Sequence, residues 1–93
     1  SPEELENVIY AHPKISEVAV IGVPDDEWGE VPKAICVLRP GHEGCKPEEI
    51  MEFCRQKLSS FKRPRSVEFV KELPRNTVGK ILKKQLREQY SQK

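Results

Sequence analysis

Apolar residues recur at Leu5, Val8 and Ile9, the spacing of one helical face, directly after Ser1-Pro2-Glu3-Glu4. That opening predicts a helix with serine as N-cap, proline in the first turn and Glu4 closing a capping box. Pro13 should end it. From Glu17 to Val23 the pattern becomes a nearly continuous β-branched apolar run, which predicts a strand buried on both faces and broken by Pro24-Asp25-Asp26. Lys33 to Arg39 predicts a second strand. The connection from Pro24 to Pro32 holds no helix, so the two strands should pair antiparallel.

Pro40-Gly41-His42-Glu43-Gly44 is predicted as a loop, and Pro47 as the start of a second helix in which Ile50, Phe53, Cys54, Lys57 and Leu58 keep the helical period. Ser59 and Ser60 should close it. Arg65 to Val70 predicts a third strand. Ile81, Leu82, Gln85, Leu86 and Tyr90 predict a terminal amphipathic helix whose other face is Lys83, Lys84 and Arg87. The order α-β-β-α-β-α, with a crossover through residues 47 to 60, predicts an α+β domain: a three-stranded mixed sheet covered by helices.

At 93 residues the chain is one small domain with little room for a deep pocket of its own, so a complete two-substrate enzyme is not expected. It opens at Ser1-Pro2, and no apolar run is long enough for a signal peptide or a membrane span, so a piece of a longer soluble protein is expected. The net charge of +1 hides an asymmetry. Residues 62 to 93 carry ten Lys/Arg against three acids and residues 1 to 61 six against twelve, giving +7 and −6. A basic half suits phosphate-bearing ligands or nucleic acid, although such a run also fits a solvated helix face.

Cys36, Cys45 and Cys54 are odd in number and lack Cys-x-x-Cys spacing, which predicts neither a disulfide framework nor a zinc site. A reducing cytoplasm or organelle matrix fits best. Cys36 and Cys54 fall in apolar patterns and are read as small buried hydrophobes, and Cys45 is placed in a loop. His12 and His42 have no partners at metal-ligand spacing, and no metal site is assigned. Asp25 and Glu30 are read as turn and loop formers.

The candidate chemistry lies in Pro74-Arg75-Asn76-Thr77-Val78-Gly79-Lys80-Ile81. It sets Lys80 on a short glycine-hinged loop beside a helix start, where a cation can be held out toward a phosphate or carboxylate. The spacing is not that of a P-loop, because Pro74 stands where the first glycine is needed and Ile81 where Ser or Thr would follow. Taken alone, a Gly-Lys at such a junction is more often a solvated turn.

Several stretches together resemble the C-terminal domain of the adenylate-forming enzymes, the superfamily of acyl-CoA and aryl-CoA synthetases, luciferases and peptide-synthetase adenylation domains. They are Ser1 to Glu6, His12-Pro13, Val20-Ile21-Gly22-Val23-Pro24-Asp25, Trp28-Gly29-Glu30, Phe61-Lys62-Arg63-Pro64 and Leu73 to Ile81. They run in family order across almost the whole chain. Asn76 stands where many relatives carry threonine.

The resemblance implies a two-step ligase, in which a carboxylate attacks the α-phosphate of ATP to give acyl-AMP and pyrophosphate, and a thiol then displaces AMP. It implies that residues 1–93 are a lid closing over a large N-terminal domain, absent here with its hinge, which holds ATP, Mg2+ and the acid. The 93 residues alone should then not turn over. Lys80 matches the adenylation lysine, Gly79 would let the backbone approach the nucleotide, and Asn76 or Thr77 would cap the following helix. Phe61, with Lys62, Arg63 and Arg65, and Trp28 match positions that face the coenzyme A nucleotide, by stacking and by phosphate neutralisation. Either ring could instead plug the core. A carrier-protein acceptor is the alternative, a nucleic-acid-binding basic domain the remote one, and a lysine acyltransferase acting on an exposed Lys80 a possible partner.

Overall fold

In the computed structural model, which describes residues 1–91, the Ser1 hydroxyl accepts the Glu4 N–H at 3.4 Å and starts helix α1, Pro2–Tyr10. Strand β1, Ile15–Asp25, and strand β2, Gly29–Leu38, form an antiparallel hairpin. Helix α2, Pro47–Lys57, and a 3-10 turn, Ser60–Lys62, lead to β3, Ser66–Phe69, which pairs parallel to β2. Helix α3 is Lys83–Tyr90. The sheet order is β1-β2-β3, so the expected α+β domain with a mixed three-stranded sheet is what forms.

The continuous apolar run in β1 reflects cores on both faces of the sheet. Val20, Ala34, Cys36 and Val67 pack against Leu5 and Ile9 of α1 and Ile50 and Cys54 of α2. Ala19, Ile21, Ile35 and Val37 pack against Leu73 and Leu86. Alternation along the strands sends neighbours to opposite cores. A bulge between Ile15 and Glu17 shifts this phase by one residue, which puts Ile15 on the same side as Val20. A fully buried isoleucine such as Ile35 contributes about 1.5–3 kcal/mol of transfer free energy.

Three expectations are corrected. The proline at 24 does not break β1, which runs on to pair Asp25 with Gly29; β1 is an edge strand, where a missing N–H is tolerated. The third strand is shorter than expected, leaving Arg65 and Val70 outside it as single hydrogen bonds to the Pro32 and Cys36 carbonyls. Ile81 and Leu82 precede the last helix instead of opening it. Cys45 is in a loop, as expected, and is buried with the α1–α2 core. Burial raises all three thiols, Cys36 to about 12, so none is a ready nucleophile.

His12 has a structural role at the end of α1. Its Nδ1 accepts the Lys14 N–H at 3.1 Å, which leaves the proton on Nε2, 3.5 Å from Glu49 Oε2, and its ring meets Phe53 edge-on at 4.8 Å. Burial holds its pKa below the ordinary histidine value, with Lys14 and His42 adding to this and Glu49 opposing it. The unfolded chain therefore binds the proton more readily, and stability should fall as pH drops below about 6.5. Urea unfolding at a series of pH values should show this slope in the wild type and lose it in His12→Asn. An equal slope in both would remove His12 as its source.

Candidate functional site

The Lys80 loop is a hairpin of its own. Leu73 anchors it in the core, the Leu82 N–H donates to the Pro74 carbonyl at 2.8 Å, and Arg75 bridges Ile81 antiparallel. Between them the Gly79 N–H donates to the Asn76 carbonyl at 3.0 Å. Gly79 has φ +93, a left-handed value that strains any residue with a Cβ. The Asn76 amide oxygen accepts from the Val78 and Lys80 N–H groups at 3.1 and 2.9 Å. Asn76 is therefore used inside the turn and does not cap α3, whose N-cap is Leu82 without a side-chain bond; Thr77 is exposed in the same turn and does not cap it either. An Asn side chain can mimic a backbone acceptor in this way, and here the strand-like residues 81–82 separate it from the helix.

Lys80 itself is exposed, and among the described residues its ammonium has no hydrogen-bond or ion-pair partner. It borders an open cavity of about 590 Å³ with Arg75, Ile81, Lys83 and Lys84. Lys83 is held by Glu6 at 2.7 Å, and the same carboxylate accepts the Val20 N–H at 2.8 Å. Among the described residues Lys80 is thus an unpaired cation on a turn closed by Asn76.

The second region is a cleft of about 450 Å³ that brings Trp28 and Phe61 together across 33 residues of sequence, with Glu30, Arg63 and Arg65 at its walls. Trp28 is 65% exposed and Phe61 83%, so neither ring plugs the core. Asp25 makes this possible on one side: its carboxylate accepts the Glu27 and Trp28 N–H groups at 3.1 and 2.9 Å, closing the β1–β2 turn with Trp28 standing outside it. Phe61 comes from the 3-10 turn before β3.

The three cations near Phe61 do not act alike. Arg63 donates to the Leu58 and Arg55 carbonyls at 2.8 and 3.2 Å, so its fork caps the C-terminal end of α2. Lys62 turns to Glu4 at 3.5 Å and does not line the cleft. Arg65 lines it, half exposed, with only a 3.8 Å contact to Asp25. Of the three expected together, Arg65 is the cleft-lining cation whose guanidinium is held only by this long contact among the described residues. The sequence pattern hid this, because helix-end carbonyls carry no residue signature.

Glu30 shows a further coupling. A Cβ on Gly22 would lie 2.4 Å from Glu30 Cδ, so the glycine of one strand makes room for the acid of the next, which then borders the cleft. Among the described residues no group of three His, Cys, Asp or Glu is placed to hold a metal, and no helix is long and apolar enough to cross a membrane.

The model of the AMP-binding enzyme C-terminal domain matches residues 4–80. The chain belongs to that family. It is 48% identical, over 97% of its length, to a long-chain-fatty-acid–CoA ligase of Mycobacterium tuberculosis, and covers 18% of that protein. It is 42% identical, over 96% of its length, to a fatty acid–acyl-carrier-protein ligase of Streptomyces coeruleorubidus, of which it covers 17%. The crystal structure of ATP-bound MatB from Rhodopseudomonas palustris superposes with a TM-score of 0.90 at 40% identity, over 96% of this chain and 18% of that one. The chain therefore spans less than a fifth of the length of these relatives.

Proposed function

We propose that residues 1–93 are the mobile C-terminal lid of an ATP-dependent acid–CoA ligase, closing over a large N-terminal domain that binds ATP, Mg2+ and the carboxylic acid. The observation that carries the reading is the Lys80 ammonium, without a partner among the described residues, on a turn closed by the backbone and side-chain bonds of Asn76. In the first step a carboxylate oxygen bonds to the α-phosphorus, the bond to the bridging oxygen breaks and pyrophosphate leaves. Charge gathers between the carboxylate and α-phosphate oxygens, and an ammonium held there stabilises it without reorganising. In the second step a thiolate attacks the acyl carbon and AMP leaves with the C–O bonding pair. Lys80 acts in this role as a fixed positive charge.

The Trp28–Phe61 cleft supports coenzyme A as acceptor. Two exposed rings can hold an adenine by stacking, and Arg65 can meet a phosphate. The relative that loads an acyl carrier protein favours a second reading, delivery to a carrier-protein pantetheine, which would need neither rings nor Arg65. Three buried thiols suit a reducing cytoplasm or organelle matrix. An exposed Lys80 is open to a lysine acyltransferase, but exposure is the single feature on which that partner rests.

The full-length enzyme, given ATP, Mg2+ and a panel of fatty, aryl and dicarboxylic acids, should show acid-dependent ATP–pyrophosphate exchange. Added coenzyme A should then release AMP and form a thioester. Exchange with none of the acids would overturn the ligase reading; thioester formed on a carrier protein but not on coenzyme A would overturn the acceptor.

A further inference from the structure

The backbone of Lys80 is held from three directions, and one of them reaches back to the start of β1. The peptide unit joining Gly79 to Lys80 is bonded at both ends: its carbonyl accepts from Arg75 Nη1 at 2.5 Å, and its N–H donates to the Asn76 amide oxygen at 2.9 Å. The Lys80 carbonyl in turn accepts the Asn76 N–H at 2.9 Å. Two of these bonds are internal to the turn and fix its shape, but not its direction from the sheet. The Arg75 guanidinium supplies the missing reference. Its Nη2 donates to Glu17 Oε1 at 2.8 Å, 58 residues away, beside the β1 bulge.

We infer that Arg75 and Glu17 are a positioning pair for Lys80, a rigid strut that ties the peptide plane preceding the lysine to the edge strand of the sheet. The inference rests on the proposed role of Lys80. A guanidinium suits the task because its planar fork donates in two directions at a fixed angle, whereas an ammonium on the same stem has no such fork. As an exposed ion pair the contact adds little to folding. As a geometric constraint its effect on a reacting cation is larger, since a displacement of about 1 Å can cost up to two decades of rate.

The test uses the full-length enzyme with Lys80→Ala as the reference. Arg75→Ala should lower kcat for ATP–pyrophosphate exchange about 10- to 100-fold and leave KM for ATP and acid unchanged. Glu17→Gln, which keeps the side-chain shape if the arginine variant folds poorly, should fall by a similar factor. Arg75→Lys should not restore the rate. The double variant should be no slower than the slower single one, because both break one unit. Independently of activity, hydrogen exchange at the Gly79 and Lys80 amides should quicken about tenfold in either single variant, with β2 amides unchanged. Amide exchange at the wild-type rate would show that the strut does not hold the loop. Wild-type kcat in Arg75→Ala, while Lys80→Ala is dead, would show that Lys80 does not depend on it. Activity retained in Lys80→Ala would instead overturn the proposed function, and the amide exchange would still decide the strut.

Discussion

Lys80→Ala in the full-length enzyme is expected to reduce acid-dependent ATP–pyrophosphate exchange by about two to three decades, the loss typical of removing one preorganised charge from a developing anion, near 3–4 kcal/mol. The protein should remain folded. The lysine side chain is exposed, and every bond that shapes its turn uses its backbone or the side chains of Arg75 and Asn76, which alanine leaves in place. ATP affinity should change little, because the interaction is strongest when charge is moving between acid and phosphate, and an effect made in the transition state appears in kcat. Lys80→Arg should recover part of the loss at most, since the charge returns on a broader, planar group. Exchange, melting temperature and ATP binding measured together decide the matter. Unchanged exchange in a folded, ATP-binding variant would return Lys80 to a solvated turn.

The second large effect is expected for coenzyme A. Truncating both Trp28 and Phe61 to alanine should raise KM for coenzyme A about 10- to 100-fold, since stacking a base on an aromatic ring contributes about 1–3 kcal/mol. Acid-dependent ATP–pyrophosphate exchange, which precedes the thiol, should stay near the wild-type rate. Because the rings are 65% and 83% exposed, their loss removes little buried area and should leave the melting temperature almost unchanged. Arg65→Ala should add a smaller, salt-sensitive weakening that disappears with dephospho-coenzyme A if Arg65 meets the 3′-phosphate. A fall in exchange equal to the loss in thioester formation would mean that the rings support the lid's structure and not the acceptor.

Much of this was legible locally. The Ser1 cap, the helix at Pro47, the antiparallel hairpin and the parallel return of β3 follow from signals within a few residues of each position, and the two-faced burial of β1 follows from its unbroken apolar run. Errors arose where a local signal had a tertiary answer. Pro24 carries a strand-breaking signal, but at an edge strand the lost N–H has little consequence. Ile81 and Leu82 share the spacing of the helix that follows, yet pairing with the Pro74–Arg75 arm draws them into the hairpin.

The amino-acid sequence by itself determined the order of elements, the family and the lysine-bearing turn, because caps, turns and periodicity act over three to seven residues and leave a readable pattern. Only the tertiary structure decided what each polar end meets: Arg63 at the end of α2, Lys62 on Glu4, Glu30 over Gly22, Trp28 beside Phe61, and Arg75 on Glu17. A long charged side chain can reach many partners at little difference in free energy, so its choice is set by which backbone the fold brings near it, and that proximity spans tens of residues without a periodic trace.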